Sequence, residues 1–356
     1  MEKTNSYLDG QKSITILEAC HTLGTYIRTV LTDAMPIDIE LTFDTFFKKS
    51  QEKIRSELIN RINDEDMIFA LEGGKLLRPT ILLLAFHACN TEKNVPYQRA
   101  LESAIGVELS HCASLIHDDI MDHDGERRGR PSLYIKKGIG NAILVGHKMI
   151  NMAFRIALEH GINNAKIFLE TWNKTLIGQL KDVTLTNKLE EILNGGKISP
   201  SSLLNEYYRI IDLKTASLFA GACRAGAIEA EASDEIILLF EEYGKEIGLA
   251  YQLADDFVDI VQGKIEEGIL MPLLRAWGGK ISSVDDLKNR NLKEEFLKKG
   301  LDLEEIYREE IKKHIASSEE LASSSLIPDS PYKKLMKEAP SYITNRMLKE
   351  LDVVIK

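Results

Sequence analysis

Apolar residues recur at intervals of three and four along most of this chain, the spacing of an amphipathic helix. The pattern is first clear over residues 14–31, where Ile14, Leu17 and Cys20 share one helical face. It predicts further helices over residues 42–70, 78–89, 99–121, 141–158, 166–186, 202–227, 234–261 and 303–316, and a last helix after Pro331. No segment shows the strict alternation that predicts a half-buried strand.

Glycine and proline mark the ends of the predicted helices, at residues 73–74, 95–96, 125–131, 195–196 and 328–331. No repeat of solenoid length and no linker rich in Ser, Gly and Pro divides the chain. We therefore expect one all-α helical bundle over residues 1–356, in which residues 1–40 form an N-terminal helical segment without a motif. The polar stretch at residues 278–296 fits either a helix pair or a surface segment, and we assign it no function.

The composition is that of a soluble globular chain, with 356 residues of which 44% are hydrophobic and 28% charged. Forty-five Lys and Arg residues stand against fifty-five Asp and Glu residues, which gives a formal net charge of −10. A field of this sign repels nucleic acids and anionic membranes. We expect no nucleic-acid partner, and an anionic ligand has to be held by local basic side chains.

The four cysteines, Cys20, Cys89, Cys112 and Cys223, are far apart and form no CxxC pair. Neither a zinc knuckle nor a disulfide framework is indicated, and a reducing cytoplasm fits this usage. The first residues lack the basic and apolar segments of a signal peptide, so we expect the chain to begin as a mature protein. The longest apolar run, near residues 81–86, is far shorter than the roughly 20 residues of a membrane helix.

Two short segments concentrate aspartates on one helical face. In SLIHDDIMD, Asp118 and Asp122 lie one turn apart with Asp119 beside them. The segment YQLADDFVD repeats this arrangement with Asp255, Asp256 and Asp259. A single cluster of this kind is as consistent with a solvated helix face as with a functional site. Two clusters, each within an apolar run, favour a functional site.

Clustered carboxylates in apolar surroundings stay ionised only when a cation offsets their charge. Oxygen ligands without Cys or His at ligand spacing suit Mg²⁺, with Mn²⁺ as an alternative, and Mg²⁺ typically adds phosphate oxygens and water to one or two carboxylates. His117 and His123 are six residues apart, roughly 240° around a helix, so they cannot bind zinc together. The aspartate clusters therefore predict a phosphate or diphosphate ligand.

Basic side chains follow in two glycine-bounded turns. GGKLLRP places Lys75 and Arg78 before an apolar helix, and GERRGRPS places Arg127 and Arg128 soon after the first aspartate cluster. Backbone amides and cations in such turns can hold an anion. The alternative is simple ion pairing between the loop arginines and the neighbouring aspartates.

Three further polar residues lie on apolar helices. His111 precedes Asp118 by two turns on the same face, so ligand contact is as plausible as a core role. Lys214 and Thr215, in IIDLKTASLF, interrupt an apolar run. A buried ammonium needs an anionic partner.

Together, HDDIMDHDGERRGRPS, GGKLLRP, LKTASLF and GLAYQLADDFVD resemble the trans-isoprenyl diphosphate synthases, also called polyprenyl synthetases. The resemblance covers nearly the whole chain, including IPDSPYKKLMKEAPSYITNRM near its end, but not the first forty or so residues. It implies an all-α bundle around a central substrate cavity, usually as a homodimer. It also implies a prenyltransferase that joins an allylic diphosphate to isopentenyl diphosphate, head to tail, by Mg-assisted ionisation.

The resemblance also implies roles for individual residues. The expected metal ligands are Asp118, Asp119, Asp122, Asp255, Asp256 and Asp259. Isopentenyl diphosphate is expected at Lys75, Arg78, His111 and Arg128. The allylic substrate and its departing diphosphate are expected at Arg127, Lys214, Thr215 and Gln252. The catalytic residues are expected to be Asp118, Asp119, Asp122, Asp255, Lys214 and Thr215.

Product length in this family depends on the helix before the first acidic motif, because the growing tail stops at the first bulky side chain on its face. Here that face carries Ala113, Ser114, Ser110 and Val107, none of them aromatic. We therefore expect all-trans products of C20 or longer. The alternative is that these small residues only permit close helix packing.

Three positions depart from the family pattern. Leu76 replaces a frequent Arg, His147 replaces a frequent Asp, and the segment after Asp259 is shortened. Whether Lys264 supplies the missing cation stays open. Two other classes remain as alternatives. A terpene cyclase shares a first DDxxD motif but usually lacks the Gly-Gly-Lys turn, and a non-catalytic regulatory subunit should have lost aspartates from one motif.

Overall fold

The structure is a computed structural model and describes residues 41–91, 93–193, 200–262 and 302–351. Within these ranges nearly every element is a helix, which confirms the predicted all-α class. The helices are α1 (Phe43–Arg61), α2 (Glu65–Leu71), α3 (Leu77–Cys89), α4 (Tyr97–Met121), α5 (Leu133–Lys137), α6 (Ile139–Glu159), α7 (Ile162–Leu193), α8 (Pro200–Ile211), α9 (Ser217–Glu229), α10 (Asp234–Gln262), α11 (Leu303–Ala322) and α12 (Pro331–Leu348). The predicted helix at residues 14–31, the stretch at 278–296 and Lys264 lie outside the described residues.

Three local features differ from the sequence-based expectation. The helix expected over residues 42–70 is two helices, because the Asp64 carboxylate accepts the amides of Asp66 and Met67 and starts α2. The helix expected over 202–227 is interrupted by a π turn (Asp212–Ala216) between α8 and α9. Two short strands, β1 (Glu126–Arg127) and β2 (Arg130–Pro131), form an antiparallel hairpin.

Helices α4, α6, α7 and α9 line a cavity. Helix α4 packs against α3, α6 and α9, and α7 packs against both α6 and α9. Many of the buried residues on α4 and α9 are small, including Ala104, Gly106, Ala220 and Gly221. Small side chains leave space between the helices that larger ones would fill. This is the predicted arrangement of a bundle around a cavity.

The remaining helices close the outside of the bundle. Helix α10 packs against α9 and α11, where the Phe257 and Tyr307 rings stack at 5.3 Å. Helix α12 packs against α1 and α3 through aromatic contacts, such as His87 stacked on Tyr332 at 4.6 Å. No helix in the described part of the chain is both long enough and apolar enough to cross a bilayer.

Candidate active site

The first aspartate cluster lies at the C-terminal end of α4, about two turns beyond Ser110, the last residue of α4 that lines the cavity. Burial raises the pKa of Asp118 to about 6, and the neighbouring Asp122 and Asp182 act in the same direction, whereas Lys214 opposes them. Burial likewise raises the pKa of Asp122. Carboxylates held this close together carry an excess of negative charge that a bound cation would relieve.

Asp119 faces a different environment. It is buried and accepts a hydrogen bond from Arg127 Nε at 2.6 Å, and Arg127 also reaches Asp124 at 3.1 Å. The ion pairing considered as an alternative from the sequence is therefore present at Arg127. The hairpin β1–β2 holds this arginine, and its turn has positive φ at both Arg128 and Gly129.

The second cluster is on α10, where Asp255 and Asp259 are half-buried and one turn apart. Asp256 is 4% exposed and accepts hydrogen bonds from the Tyr207 hydroxyl and from Gln252 Nε2, the latter at 2.7 Å. Asp119 and Asp256 are thus each held by side chains of other elements or turns.

Lys214 and Thr215 project from the π turn. Lys214 Nζ donates to Asp182 Oδ2 at 2.9 Å, and the carboxylates of Asp118 and Asp182 raise the pKa of Lys214 although burial opposes this. Thr215 Oγ1 donates to Gln252 Oε1 at 2.6 Å. A Lys, a Thr and a Gln predicted to act together are therefore brought to one place. Asp182 was not predicted, because nothing in the local sequence of α7 links it to Lys214.

Two glycines let the π turn approach its neighbours. A Cβ at Gly178 on α7 would lie 2.6 Å from the Lys214 amide nitrogen, and one at Gly248 on α10 would lie 2.5 Å from the Ala216 Cα. Both separations are shorter than any side chain tolerates. Larger residues there would displace the turn and Lys214 with it. π turns occur often at functional sites.

A second group of basic residues lies between α3, α4 and α9. Arg78 is 8% exposed, its guanidinium lies 4.6 Å above the Phe219 ring, and Nη1 donates to His111 Nε2 at 3.0 Å. Burial and the nearby arginines hold the pKa of His111 well below its ordinary value, so the ring is neutral. The Arg78 Nε and His111 Nδ1 donors are buried without a hydrogen-bond partner. Unpartnered buried donors on two contacting side chains favour an acceptor, such as an anionic ligand, in this region.

Lys75 and Arg128 complete this group. Lys75 is exposed, with Nζ 3.0 Å from Met347 Sδ, and Leu76 behind it is buried with a φ of 56°. Arg128 Nη1 contacts carbonyl oxygens at the end of α2, at 3.0 Å for Glu72. These four residues were predicted as one subsite, and the structure places them around the start of α3.

The sequence did not single out Glu108, which is one turn before His111 on α4. Its side chain is 1% exposed, and Oε1 has no hydrogen-bond partner. Burial raises its pKa to about 7, with Arg128, Arg78 and Arg55 acting in the opposite direction. The only signal available in the sequence was its spacing of three residues from His111.

The cavity between α4, α6, α7 and α9 offers about 580 Å³ of space, part of which is open to solvent. Val107 and Ser110 line it, as predicted, whereas Ala113 and Ser114 are not among the lining residues. Phe168 and Trp172 from α7 form part of the opposite wall and were missed. Their spacing of four residues on a predicted helix was the signal that could have found them.

Of the positions that depart from the family pattern, His147 has an aromatic neighbour in the structure. The His147 ring on α6 lies 5.4 Å from the His117 ring on α4.

Among the described residues, no three His, Cys, Asp or Glu side chains are close enough to enclose a metal ion by themselves. Any ion held by the two aspartate clusters therefore needs further oxygen ligands from a substrate or from water.

Comparison with known proteins identifies the family. Residues 64–268 match the sequence model of the polyprenyl synthetase family. A geranylfarnesyl diphosphate synthase of Methanosarcina mazei is 31% identical over 282 residues, which are 78% of this chain and 84% of that protein. A geranylgeranyl diphosphate synthase of the same organism is 34% identical over 210 residues, 56% of this chain and 60% of that protein.

The fold is also found in a solved structure. The crystal structure of a polyprenyl synthase from Caulobacter crescentus, in complex with calcium and isoprenyl diphosphate, superimposes with a TM-score of 0.68. It is 21% identical, and the match covers 87% of this chain and 99% of that one. The chain belongs to the polyprenyl synthetase family and is a transferase. The resemblance found in the sequence motifs is thereby confirmed.

Proposed function

We propose that this transferase condenses an allylic diphosphate with isopentenyl diphosphate, head to tail, to give an all-trans polyprenyl diphosphate of C20 or longer. Two observations carry this proposal: Lys214 lies beside the carboxylates of Asp118 and Asp182 at the charged end of α4, and earlier turns of α4 line an apolar cavity. A diphosphate head group fits the charged end with its cations, and a prenyl tail fits the cavity. The synthases from Methanosarcina mazei carry names of this activity.

The donor set of the aspartate clusters fits Mg²⁺. The residues that would hold it are Asp118 and Asp122 on α4 and Asp255 and Asp259 on α10, with Mn²⁺ as the alternative ion. Asp119 and Asp256, which were predicted as ligands too, orient the clusters through their bonds to Arg127, Tyr207 and Gln252. Bound Mg²⁺ would stabilise the negative charge that develops on the departing diphosphate.

The chain's own cations act on the same leaving group. Lys214 keeps its proton because its pKa is raised, so it provides a positive charge where the diphosphate departs. The Thr215 hydroxyl, Gln252 and Arg127 are positioned beside it through the bonds described above. Departure of the diphosphate leaves an allylic carbocation, and the charged groups are already oriented when that charge separates.

The second subsite supplies the nucleophile. Lys75, Arg78, His111 and Arg128 hold the diphosphate of isopentenyl diphosphate, and the two unpartnered N–H donors of Arg78 and His111 become satisfied when it binds. The double bond then attacks the carbocation, and loss of a proton, which released diphosphate can accept, completes one C5 addition. The apolar walls of the cavity keep water away from the cation.

We also propose a homodimer. The described residues include sixteen exposed large hydrophobic side chains, and most of these are on two consecutive helices, α6 and α7. An accumulation of exposed apolar side chains on neighbouring helices is typical of a protein interface. The side chains are Ile139, Ile143, Leu144, Leu158, Ile162, Leu169, Leu176, Ile177, Leu180 and Val183.

The location we propose is the cytoplasm. Cys89, Cys112 and Cys223 are buried free thiols, and burial raises the pKa of Cys89 and Cys112 to about 12. Thiols of this kind are typical of proteins from reducing compartments. Labelling of free thiols in extracts of the native cells, with and without prior reduction, tests this location.

One experiment separates the proposed activity from its alternatives. The protein is incubated with Mg²⁺, isotope-labelled isopentenyl diphosphate and each of the C5, C10, C15 and C20 allylic diphosphates, and products are identified by mass spectrometry. A chain-elongating synthase gives labelled polyprenyl diphosphates of C20 or longer. A terpene cyclase gives unlabelled hydrocarbons, and a non-catalytic subunit gives no product.

A further inference from the structure

The cavity ends in a buried polar cluster. Ser103 lines the cavity end remote from the aspartates, and its hydroxyl donates to Glu229 at 2.5 Å. Glu229 is 1% exposed and also contacts His160 Nδ1 at 2.7 Å. We call Ser103, His160 and Glu229 the end cluster. Its members come from α4, α9 and the residue that caps α6.

The end cluster is tied to charged groups behind it. Arg99 Nε lies 3.1 Å from Glu229, and His160 Nε2 lies 2.9 Å from Glu102. Asn164, at the start of α7, lines the same end of the cavity and contacts the His160 carbonyl. All four helices that enclose the cavity therefore meet at this network.

We propose that the end cluster sets the maximum product length by stopping the prenyl tail at Ser103, an inference that rests on the proposed function. A tail passing this point would have to separate Ser103, His160 and Glu229 and leave a buried carboxylate against hydrocarbon. The end cluster differs from a bulky side chain, because the hydrogen bonds and ion pairs among its members, rather than their size, stop the prenyl tail.

The position of the end cluster gives a length. Ser103 precedes Asp118 by fifteen residues on α4, which corresponds to about 22 Å along the helix. An extended isoprene unit has four main-chain carbon bonds of about 1.5 Å and spans about 5 Å. The distance holds four to five units, which predicts products of C20 to C25.

The test is product analysis of a double variant, His160→Ala with Glu229→Ala. It removes both buried partners together, and products longer than those of the wild type by at least one C5 unit are expected. The matched control is Glu246→Ala with His314→Ala, a Glu–His pair with the same 2.7 Å separation that lies between α10 and α11. Unchanged product length in the first variant, or lengthening in both, would overturn the proposal.

A second variant keeps the proposal testable if the double variant does not fold. Asn164→Phe fills the cavity beside the end cluster without removing a buried charge, and it should shorten the longest product by at least one C5 unit. An unchanged product would mean that the wild-type tail never reaches this end, and the proposal would be wrong. Release of diphosphate in the first condensation is measured in parallel, since its absence in the wild type would refute the proposed function instead.

Discussion

Lys214 and Asp182 come from different helices and meet at 2.9 Å beside the first aspartate cluster. The carboxylate fixes the ammonium at one point of the site and helps to keep it protonated. A flexible lysine side chain is thereby oriented before any substrate binds.

We expect Lys214→Ala to slow ionisation of the allylic diphosphate by about 100-fold, because a preorganised charge at the leaving group is lost. Asp182→Asn should have the same effect to a smaller degree, since it leaves the lysine in place but unanchored. Steady-state kcat and the KM for each substrate provide the measurement. A change confined to the KM of isopentenyl diphosphate would show that Lys214 belongs to the isopentenyl diphosphate subsite and that our assignment is wrong.

Activity should require Mg²⁺ or Mn²⁺, and Asp118→Ala or Asp255→Ala should each lower turnover by about two orders of magnitude or more. Asp234→Ala, at an exposed position at the start of α10, is the control and should leave turnover unchanged. The measurement is diphosphate release with increasing metal after treatment with chelator. Full activity in excess chelator would contradict a metal requirement.

Lys75→Ala and Arg78→Ala should mainly weaken the binding of isopentenyl diphosphate, because both cations belong to the subsite around the start of α3. We expect its KM to rise by about tenfold or more, with a smaller effect on the allylic substrate. Circular dichroism controls for folding, since Arg78 is buried against Phe219. Equal effects on both substrates would show that the two diphosphate subsites are assigned incorrectly.

Glu108 should make stability depend on pH. Its pKa is about 7 in the folded protein against 4.5 ordinarily, so the unfolded chain releases this proton at lower pH. The free energy of unfolding should therefore fall by about 3 kcal/mol as pH rises through this window. Glu108→Gln should remove this pH dependence. The free energy of unfolding of the variant, relative to that of the wild type, should therefore be higher at pH 8 than at pH 5.

Denaturant unfolding at both pH values measures this effect. Glu52→Gln, which changes an exposed carboxylate on α1, serves as the control and should keep the wild-type pH profile. Parallel profiles for the wild type and Glu108→Gln would show that the buried carboxyl has the same proton affinity in the folded and unfolded chain.

An aromatic side chain on α4 should shorten the product. Ser110→Phe places a ring directly in the cavity, so we expect products no longer than C15. Ala113→Phe and Ser114→Phe, the substitutions suggested by the sequence, lie outside the cavity lining and should shorten the product less. Product distributions at saturating isopentenyl diphosphate measure this order, and an unaltered distribution in Ser110→Phe would exclude the cavity as the tail site.

The aspartate clusters and the basic turns were predictable because their geometry is local. Helical spacing alone places Asp118 one turn from Asp122, and Gly73 and Gly74 mark the turn that precedes Arg78. The bundle was predictable for the same reason, since the apolar residues of each amphipathic helix recur every three to four positions.

Contacts between helices that are distant in the sequence could not be predicted from local spacing. His160 and Glu229 are 69 residues apart, and neither helix carries a pattern that pairs them. The π turn was missed because the apolar residues of IIDLKTASLF are spaced too closely to show the shift of about 100° that one inserted residue causes in the apolar pattern. The break before α2 was missed because the Asp64 cap competes locally with continuation of the helix.

The π turn also makes the residue count between α8 and α9 important. Deleting one residue, such as Leu213, would convert the turn to ordinary α-helix, because the five residues of the π turn cover about the rotation of four α-helical residues. Helices α8 and α9 would then keep their buried faces, but Lys214 and Thr215 would no longer point in the directions that the wider turn gives them. In this segment an insertion or deletion is therefore a more severe change than most substitutions.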